Sequence, residues 1–200
     1  MIKAFLFDIG NVLVRFDYGR VFRVVEQVIG VERVAEVERE IRALGQEMEC
    51  GVVSADEFVA RSVALIGGGM GEAEFRAVFN DIFWVNEPML TVVERLRGRV
   101  PLYLFSNTSE LHERYLFERY EVFGSFDGGF YSWSAGCMKP DEAFYRKALD
   151  VLGIEPGEIA YIDDLPDNIA TGKRLGLVSH AYDPERHEAL EEFLAGLELG

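Results

Sequence analysis

An apolar run, Ala4-Phe5-Leu6-Phe7, ends on an aspartate, Asp8, and apolar residues resume at Ile9, Val12 and Leu13. This interruption constrains the fold more than any other feature. A carboxylate at the mouth of a buried strand is costly to place and is rarely there for packing. It suits an open parallel sheet, where ligands bind beyond the carboxyl ends of the strands. Three further polar groups follow at wide spacings, Ser106-Asn107, Lys139-Pro140 and Asp163-Asp164. Together they supply a nucleophile, a hydroxyl donor, a cation and a metal ligand, which is an inventory for phosphoryl transfer.

Five short apolar runs read as buried strands, over 3–9, 101–105, 129–131, 159–162 and 177–181. From the second onward they alternate with helical patterns, as in parallel βαβ units. Asp8, Ser106 and Asp163-Asp164 then share one edge of the sheet, and Lys139 follows a turn-like stretch, Ser134-Ala135-Gly136. The long segment between the first two strands shows helices and no convincing strand. Val21, Phe22, Val25, Val28 and Ile29 form one apolar stripe, and Val34, Val37, Ile41, Leu44 and Met48 another. Ser54 and Glu57 form a capping box, and Gly67-Gly68-Gly69 stops that helix before another over 71–83. Further helices are expected over 87–98, 110–120, 141–152, 166–175 and 184–197. The expected fold class is α/β: a Rossmann-like parallel sheet core with helices on both faces and an inserted all-helical cap. The core is expected over residues 1–16 and 86–200, and the cap over 17–85.

The net charge of −15 repels nucleic acid and anionic membrane. No apolar run approaches bilayer length. The first residues pass straight into a strand, which argues against a cleaved signal peptide. Cys50 and Cys137 have no metal-binding or redox spacing, as suits reduced thiols. A cytoplasmic protein, a monomer or homodimer, is expected. Its long-range field would also repel a phosphate substrate, so a phosphate site must bring local positive charge.

The four motifs resemble those of the haloacid dehalogenase superfamily, most of whose members are Mg²⁺-dependent phosphatases. Phe7-Asp8-Ile9-Gly10-Asn11-Val12 matches the first motif, Ser106-Asn107-Thr108 the second, Lys139-Pro140 the third and Ile162-Asp163-Asp164-Leu165-Pro166-Asp167-Asn168 the fourth. A looser likeness joins Gly10-Asn11-Val12 with Phe16-Asp17, Glu49-Cys50-Gly51 and His112. It points to bacterial phosphatases of sugar 1-phosphates and to the N-terminal phosphatase domain of soluble epoxide hydrolases.

The resemblance implies a small phosphorylated metabolite as substrate, with Asp8 attacking phosphorus to give an aspartyl-phosphate. Asp8, the Gly10 carbonyl and Asp164 would hold Mg²⁺, a hard cation suited to oxygen ligands. Asp163 would join that set or orient the loop around it. Ser106 and the backbone N–H of Asn107 would bind phosphoryl oxygens at a helix N-terminus. Lys139 would neutralise the phosphate and Asp8, and Asn168 would position Lys139 or Asp8.

One position departs from the family pattern. Most of its phosphatases carry a second aspartate two residues after the nucleophile, to protonate the leaving oxygen and then activate water. Here that position is Gly10. General acid–base help is worth about 10²–10⁴ in rate. Asp17 and His112 are the expected substitutes, ahead of His180 and His187. An acidic leaving group, such as the anomeric oxygen of a sugar 1-phosphate, would need less help. Phe16, Tyr18 and Trp84 could stack on a sugar. Two other functions fit: a phosphate-binding protein with little or no catalysis, and, less well, a 2-haloacid dehalogenase, which needs no metal.

Overall fold

The computed structural model describes all 200 residues. The chain runs β1 (Ala4–Phe7), β2 (Val14–Phe16), α1 (Gly19–Ile29), α2 (Val31–Glu49), α3 (Ala55–Ile66), α4 (Glu72–Asn80), β3 (Phe83–Val85) and α5 (Glu87–Leu96). It continues β4 (Leu102–Ser106), α6 (Glu110–Arg119), β5 (Gly128–Tyr131), α7 (Ser132–Ala135), α8 (Glu142–Leu152), β6 (Ile159–Asp163), α9 (Pro166–Arg174), β7 (Val178–Ala181) and α10 (His187–Ala195).

Five strands form one parallel sheet in the order β5-β4-β1-β6-β7. The chain leaves central β1 toward β4 and β5, then crosses back to β6 and β7. The order therefore reverses at β1, and the crevice at such a switch point is where ligands bind in this architecture. Alternate residues of β1 point to opposite faces. Phe5 and Phe7 join an apolar cluster with Val92, Val93 and Leu96 of α5 and Leu190 of α10. Ala4 and Leu6 join a second cluster with Phe144, Tyr145 and Ala148 of α8 and Ile169 of α9. Both faces are thus covered, which is why the strands read as near-continuous apolar runs.

The five expected sheet strands all form, each shifted by no more than two residues at either end. The segment after β1 differs. Its four helices are flanked by a two-stranded antiparallel sheet, with Val14↔Val85, Arg15↔Trp84 and Phe16↔Phe83 in register. The aromatic and β-branched composition of Phe83-Trp84-Val85 favours a strand. The helix expected to reach residue 83 stops at Asn80 instead. Helix α3 begins as expected, the Ser54 side chain accepting from Glu57 N at 3.2 Å, and Gly67 closes it at φ 79°. The apolar stripe of α2 buries Val37, Ile41, Leu44 and Met48. Phe58, Phe75 and Phe79 pack among the four helices with ring centroids 4.8–5.9 Å apart.

Candidate active site

Asp8 is the first residue beyond β1, its side chain buried with only 10% of it exposed. Beside it lies Lys139 Nζ, 2.9 Å from Asp8 Oδ1. The same ammonium lies 2.6 Å from Asp163 Oδ2 and donates to Phe105 O at 2.7 Å. Three acceptors thus take the three N–H bonds of a buried lysine. Burial opposes its charge, but Asp8 and Asp163 more than offset this and push Lys139 above its usual range.

Lys139 is brought here by Asn107. The Asn107 Nδ2 donates to Lys139 O and the Lys139 N–H donates to Asn107 Oδ1, both at 2.8 Å. The Asn107 side chain is therefore committed to the lysine loop, which leaves only its backbone for a phosphoryl group. Ser106 ends β4, is buried, and lines a pocket together with Ile9 and Gly10. Neither residue lies at a helix N-terminus, contrary to expectation. Helix α6 starts at Glu110, and Ser109 caps it by accepting from His112 N at 3.2 Å.

Asp163, expected at the metal or orienting the loop around it, is held by four hydrogen bonds. Its Oδ1 accepts from Leu165 N and Asn168 Nδ2, both at 2.9 Å. Its Oδ2 accepts from Lys139 Nζ and Tyr161 Oη, both at 2.6 Å. A carboxylate offers about four acceptor sites, and all four are filled. Asp163 thus anchors Lys139 and has no lone pair left for a cation. Burial alone would raise it, but Lys139 and the other donors hold it below its ordinary value. Asn168, expected against Lys139 or Asp8, donates to Asp163 instead.

The remaining carboxylate, Asp164, is partly exposed and accepts from Asn11 Nδ2 at 3.0 Å. Asn11 holds the left-handed conformation at φ 54°, a region that asparagine tolerates better than most residues. One carboxylate oxygen from each of Asp8, Asp163 and Asp164 lies within 4.8 Å of the other two. Burial, together with the charges of Asp163 and Asp164, pushes Asp8 up to about 7 despite Lys139. Burial raises Asp164 as well. Three carboxylates against one ammonium leave a surplus of negative charge that a divalent cation would neutralise. Asp8 and Asp164 are the donors with capacity to hold one, and their hard oxygens fit Mg²⁺.

Beside Ile9 and Gly10, the two residues that follow Asp8, opens a pocket of about 230 Å³. Gly10, Ser106 and Asn107 line it together with Phe16, Tyr18, Phe83, His112 and Glu49. Gly10 leaves no spare space there, because a Cβ would lie 2.8 Å from Phe16 Cε1. The phenyl ring fills the volume that a side chain at position 10 would need.

Both expected substitutes have other partners in the structure. Asp17 accepts from Gly19 N and from Arg23, both at 2.8 Å, and these bonds lower it. Its side chain is 42% exposed, and it does not line the pocket. His112 does line it, stacked on Phe79 at 4.5 Å, with Nε2 3.2 Å from Phe79 O. Burial lowers it to about 4, so the ring is neutral near pH 7. His180 and His187 lie on β7 and α10, away from the pocket. Of the aromatic candidates, Phe16 and Tyr18 line the pocket, whereas Trp84 is 42% exposed beneath Arg20.

Glu49 was not singled out by its chemistry in the sequence. It is the last residue of α2 and the only carboxylic acid lining this pocket. Burial pushes it up to about 7, against the lowering effect of the Tyr18 hydroxyl beside it. No periodicity marks it, since charged residues crowd the end of α2.

A family model described as haloacid dehalogenase-like hydrolase matches residues 2–176. A D-ribitol-5-phosphate phosphatase of Bacteroides thetaiotaomicron is 25% identical over 193 residues, covering 92% of this chain and 93% of that protein. A drimenol cyclase of Aspergillus calidoustus is 23% identical over 208 residues, and there the chain spans only 38% of the relative's length. A haloacid dehalogenase family enzyme of Bacteroides thetaiotaomicron, solved with magnesium and inorganic phosphate, superposes with a TM-score of 0.82. It is 22% identical and covers 92% of this chain and 96% of that one. By the family model and the motifs that converge on Asp8, this chain belongs to the haloacid dehalogenase-like hydrolases.

Proposed function

We propose that the protein is a Mg²⁺-dependent phosphatase of a small phosphomonoester, with a sugar or polyol as leaving group. The observation that carries this reading is the lysine bridge: one buried ammonium on both Asp8 and Asp163, beside Asp164. A structural ion pair would need no third carboxylate within reach. Asp8 and Asp164, with the Gly10 carbonyl, would hold Mg²⁺. Bound there, the cation would offset the charge of the transferring phosphoryl group.

The chain's own residues do the rest. Asp8 Oδ attacks phosphorus in line with the leaving oxygen and forms an aspartyl-phosphate. Lys139 favours the ionised form of Asp8 against burial and faces the phosphoryl oxygens, and Ser106 Oγ donates to one of them. Water then attacks the aspartyl-phosphate and frees Asp8. The Phe16, Tyr18 and Phe83 rings offer apolar faces, and Glu49 a polar contact, to a small polyhydroxylated group. The pocket volume suits a single sugar or alditol. The named activity of the Bacteroides relative, on ribitol 5-phosphate, supports an alditol or sugar phosphate as substrate.

The test is phosphate release from ribitol 5-phosphate, sugar 1- and 6-phosphates and p-nitrophenyl phosphate, with and without Mg²⁺. Release that needs Mg²⁺ and disappears in Asp8→Asn supports the reading. Binding of Mg²⁺ and phosphate without any release would favour a phosphate-binding protein instead. Metal-independent release of halide from a 2-haloacid would favour a dehalogenase.

A further inference from the structure

We propose that Glu49, reaching in from the helical segment, performs the proton transfer that Gly10 cannot. Glu49 would donate a proton to the oxygen leaving phosphorus, then take one from the water that attacks the aspartyl-phosphate. This inference rests on the phosphatase reading above.

Four observations carry it. First, the usual position is closed as well as empty, because Phe16 stands where a side chain on Gly10 would go. Second, Asp17 is held outside the pocket by Arg23, and His112 is stacked and tied to Phe79 O. Third, Glu49 shares the pocket with Gly10, Ser106 and Asn107 and is its only carboxylic acid. Fourth, the end of α2 is docked on the segment that leads to Lys139. Gly51, at φ 71°, lies so close under the Trp133 carbonyl that a Cβ would collide with it. Cys50 Sγ lies 3.9 Å from Met138 Sδ. The anchor fixes the end of α2, and with it Glu49, against the pocket that Gly10 and Ser106 line.

The surroundings suit an acid that must become a base. Arg42 lines an adjoining cavity of about 210 Å³ with Glu49 but pairs with Glu38 at 2.7 Å. Tyr18 lies beside the Glu49 carboxyl and Cys50 follows it in sequence, and neither carries a charge near pH 7. With its carboxyl pushed up to about 7, Glu49 is present in both forms at neutral pH. A general acid works best when its pKa lies near the operating pH.

The proton balance closes. As the Asp8–phosphorus bond forms and the phosphorus–oxygen bond breaks, the Glu49 proton passes to the leaving oxygen, giving a neutral alcohol. Water then adds to phosphorus, its proton passes to the Glu49 carboxylate, and Asp8 departs with its electron pair.

The test is Glu49→Gln, assayed by rapid quench on ribitol 5-phosphate and p-nitrophenyl phosphate. An aryl oxygen leaves without a proton, so the first burst of p-nitrophenolate should keep its wild-type rate. That burst also shows that the variant is folded. Subsequent turnover should slow, with phosphate accumulating on Asp8, because the base of the second step is gone. With ribitol 5-phosphate, kcat should fall by about 10²-fold or more, without a matching change in KM. Glu49→Asp should recover part of it. An equal loss of burst rate on both substrates, or no loss with ribitol 5-phosphate, would overturn the proposal. No burst and no phosphate release from the wild type would overturn the phosphatase reading, and this one with it.

Discussion

Replacing Lys139 by methionine keeps the length of the side chain and removes its charge. Lys139 Nζ lies 2.9 Å from Asp8 and 2.6 Å from Asp163, with a third bond to Phe105 O at 2.7 Å. At an effective dielectric of about 20, each ion pair is worth on the order of 6 kcal/mol of attraction. Desolvation of both partners offsets much of that, and breaking a buried pair from one side costs about 3–5 kcal/mol net. Asp163 suffers most, because it is fully buried and no cation can replace its partner. For a chain of this size the loss lowers Tm by roughly 6–20 °C, at about 2–4 °C per kcal/mol. Thermal melts monitored by circular dichroism in EDTA measure it. Adding Asp163→Asn should recover part of the loss, since a neutral amide no longer needs the ammonium. A single variant that melts within about 2 °C of the wild type would refute the reasoning.

Three further outcomes follow. Gly10→Ala forces its Cβ to 2.8 Å from the Phe16 ring, so it should cost about 1–3 kcal/mol in urea unfolding, relieved by Phe16→Leu. His112 and Glu49 should drive the pH dependence of stability in opposite directions. Below pH 6.5 the unfolded chain protonates His112 while the folded one, at about 4, does not, so this residue makes stability fall as pH drops from 6.5 to 4. Glu49 ionises from about 4.5 when unfolded but only near 7 when folded, so it makes stability fall as pH rises through that range. Each contribution is at most about 3 kcal/mol. Asp8, also raised to about 7, adds a falling contribution common to both variants, so the comparison is with the wild type. From pH 4 to 7.5 the unfolding free energy should slope more upward with pH in Glu49→Gln than in the wild type, and more downward in His112→Phe. Either variant shifting the slope the other way would contradict its assignment. Finally, Mg²⁺ at about 100 times its Kd should stabilise the wild type by roughly 2.7 kcal/mol and leave Asp164→Ala unchanged, as read by differential scanning fluorimetry.

The sheet and its site were legible in the sequence because buried parallel strands carry their own signal. Ala4–Phe7 and Ile159–Asp163 are apolar on both faces, and each ends on a carboxylate that no packing argument explains. The polar groups at those ends had to converge once the strands were parallel. What remained hidden depends on long-range geometry. The β2–β3 pairing joins three-residue strands with four helices between them, too short for a period to show. The four hydrogen bonds to Asp163 come from donors in three parts of the chain, of which Lys139 is remote in sequence. The Asn107–Lys139 clasp likewise joins residues 32 positions apart. Asp17 and His112 were reasonable expectations from sequence spacing alone. Arg23 and Phe79 decide their fate, and neither contact has a sequence signature. Glu49 was hidden for the opposite reason: it sits among other glutamates on α2, and only the docking of that helix sets it apart.

The central claim is that Asp8 carries the phosphoryl group. The direct measurement is an acid quench of the protein turning over p-nitrophenyl phosphate with Mg²⁺, followed by peptide mass spectrometry. The expected result is phosphate on the peptide containing Asp8 in the wild type, and none in Asp8→Asn, with phosphate release lost in that variant. Release that continues unchanged in Asp8→Asn, with no phosphate on that peptide in either protein, would contradict the claim.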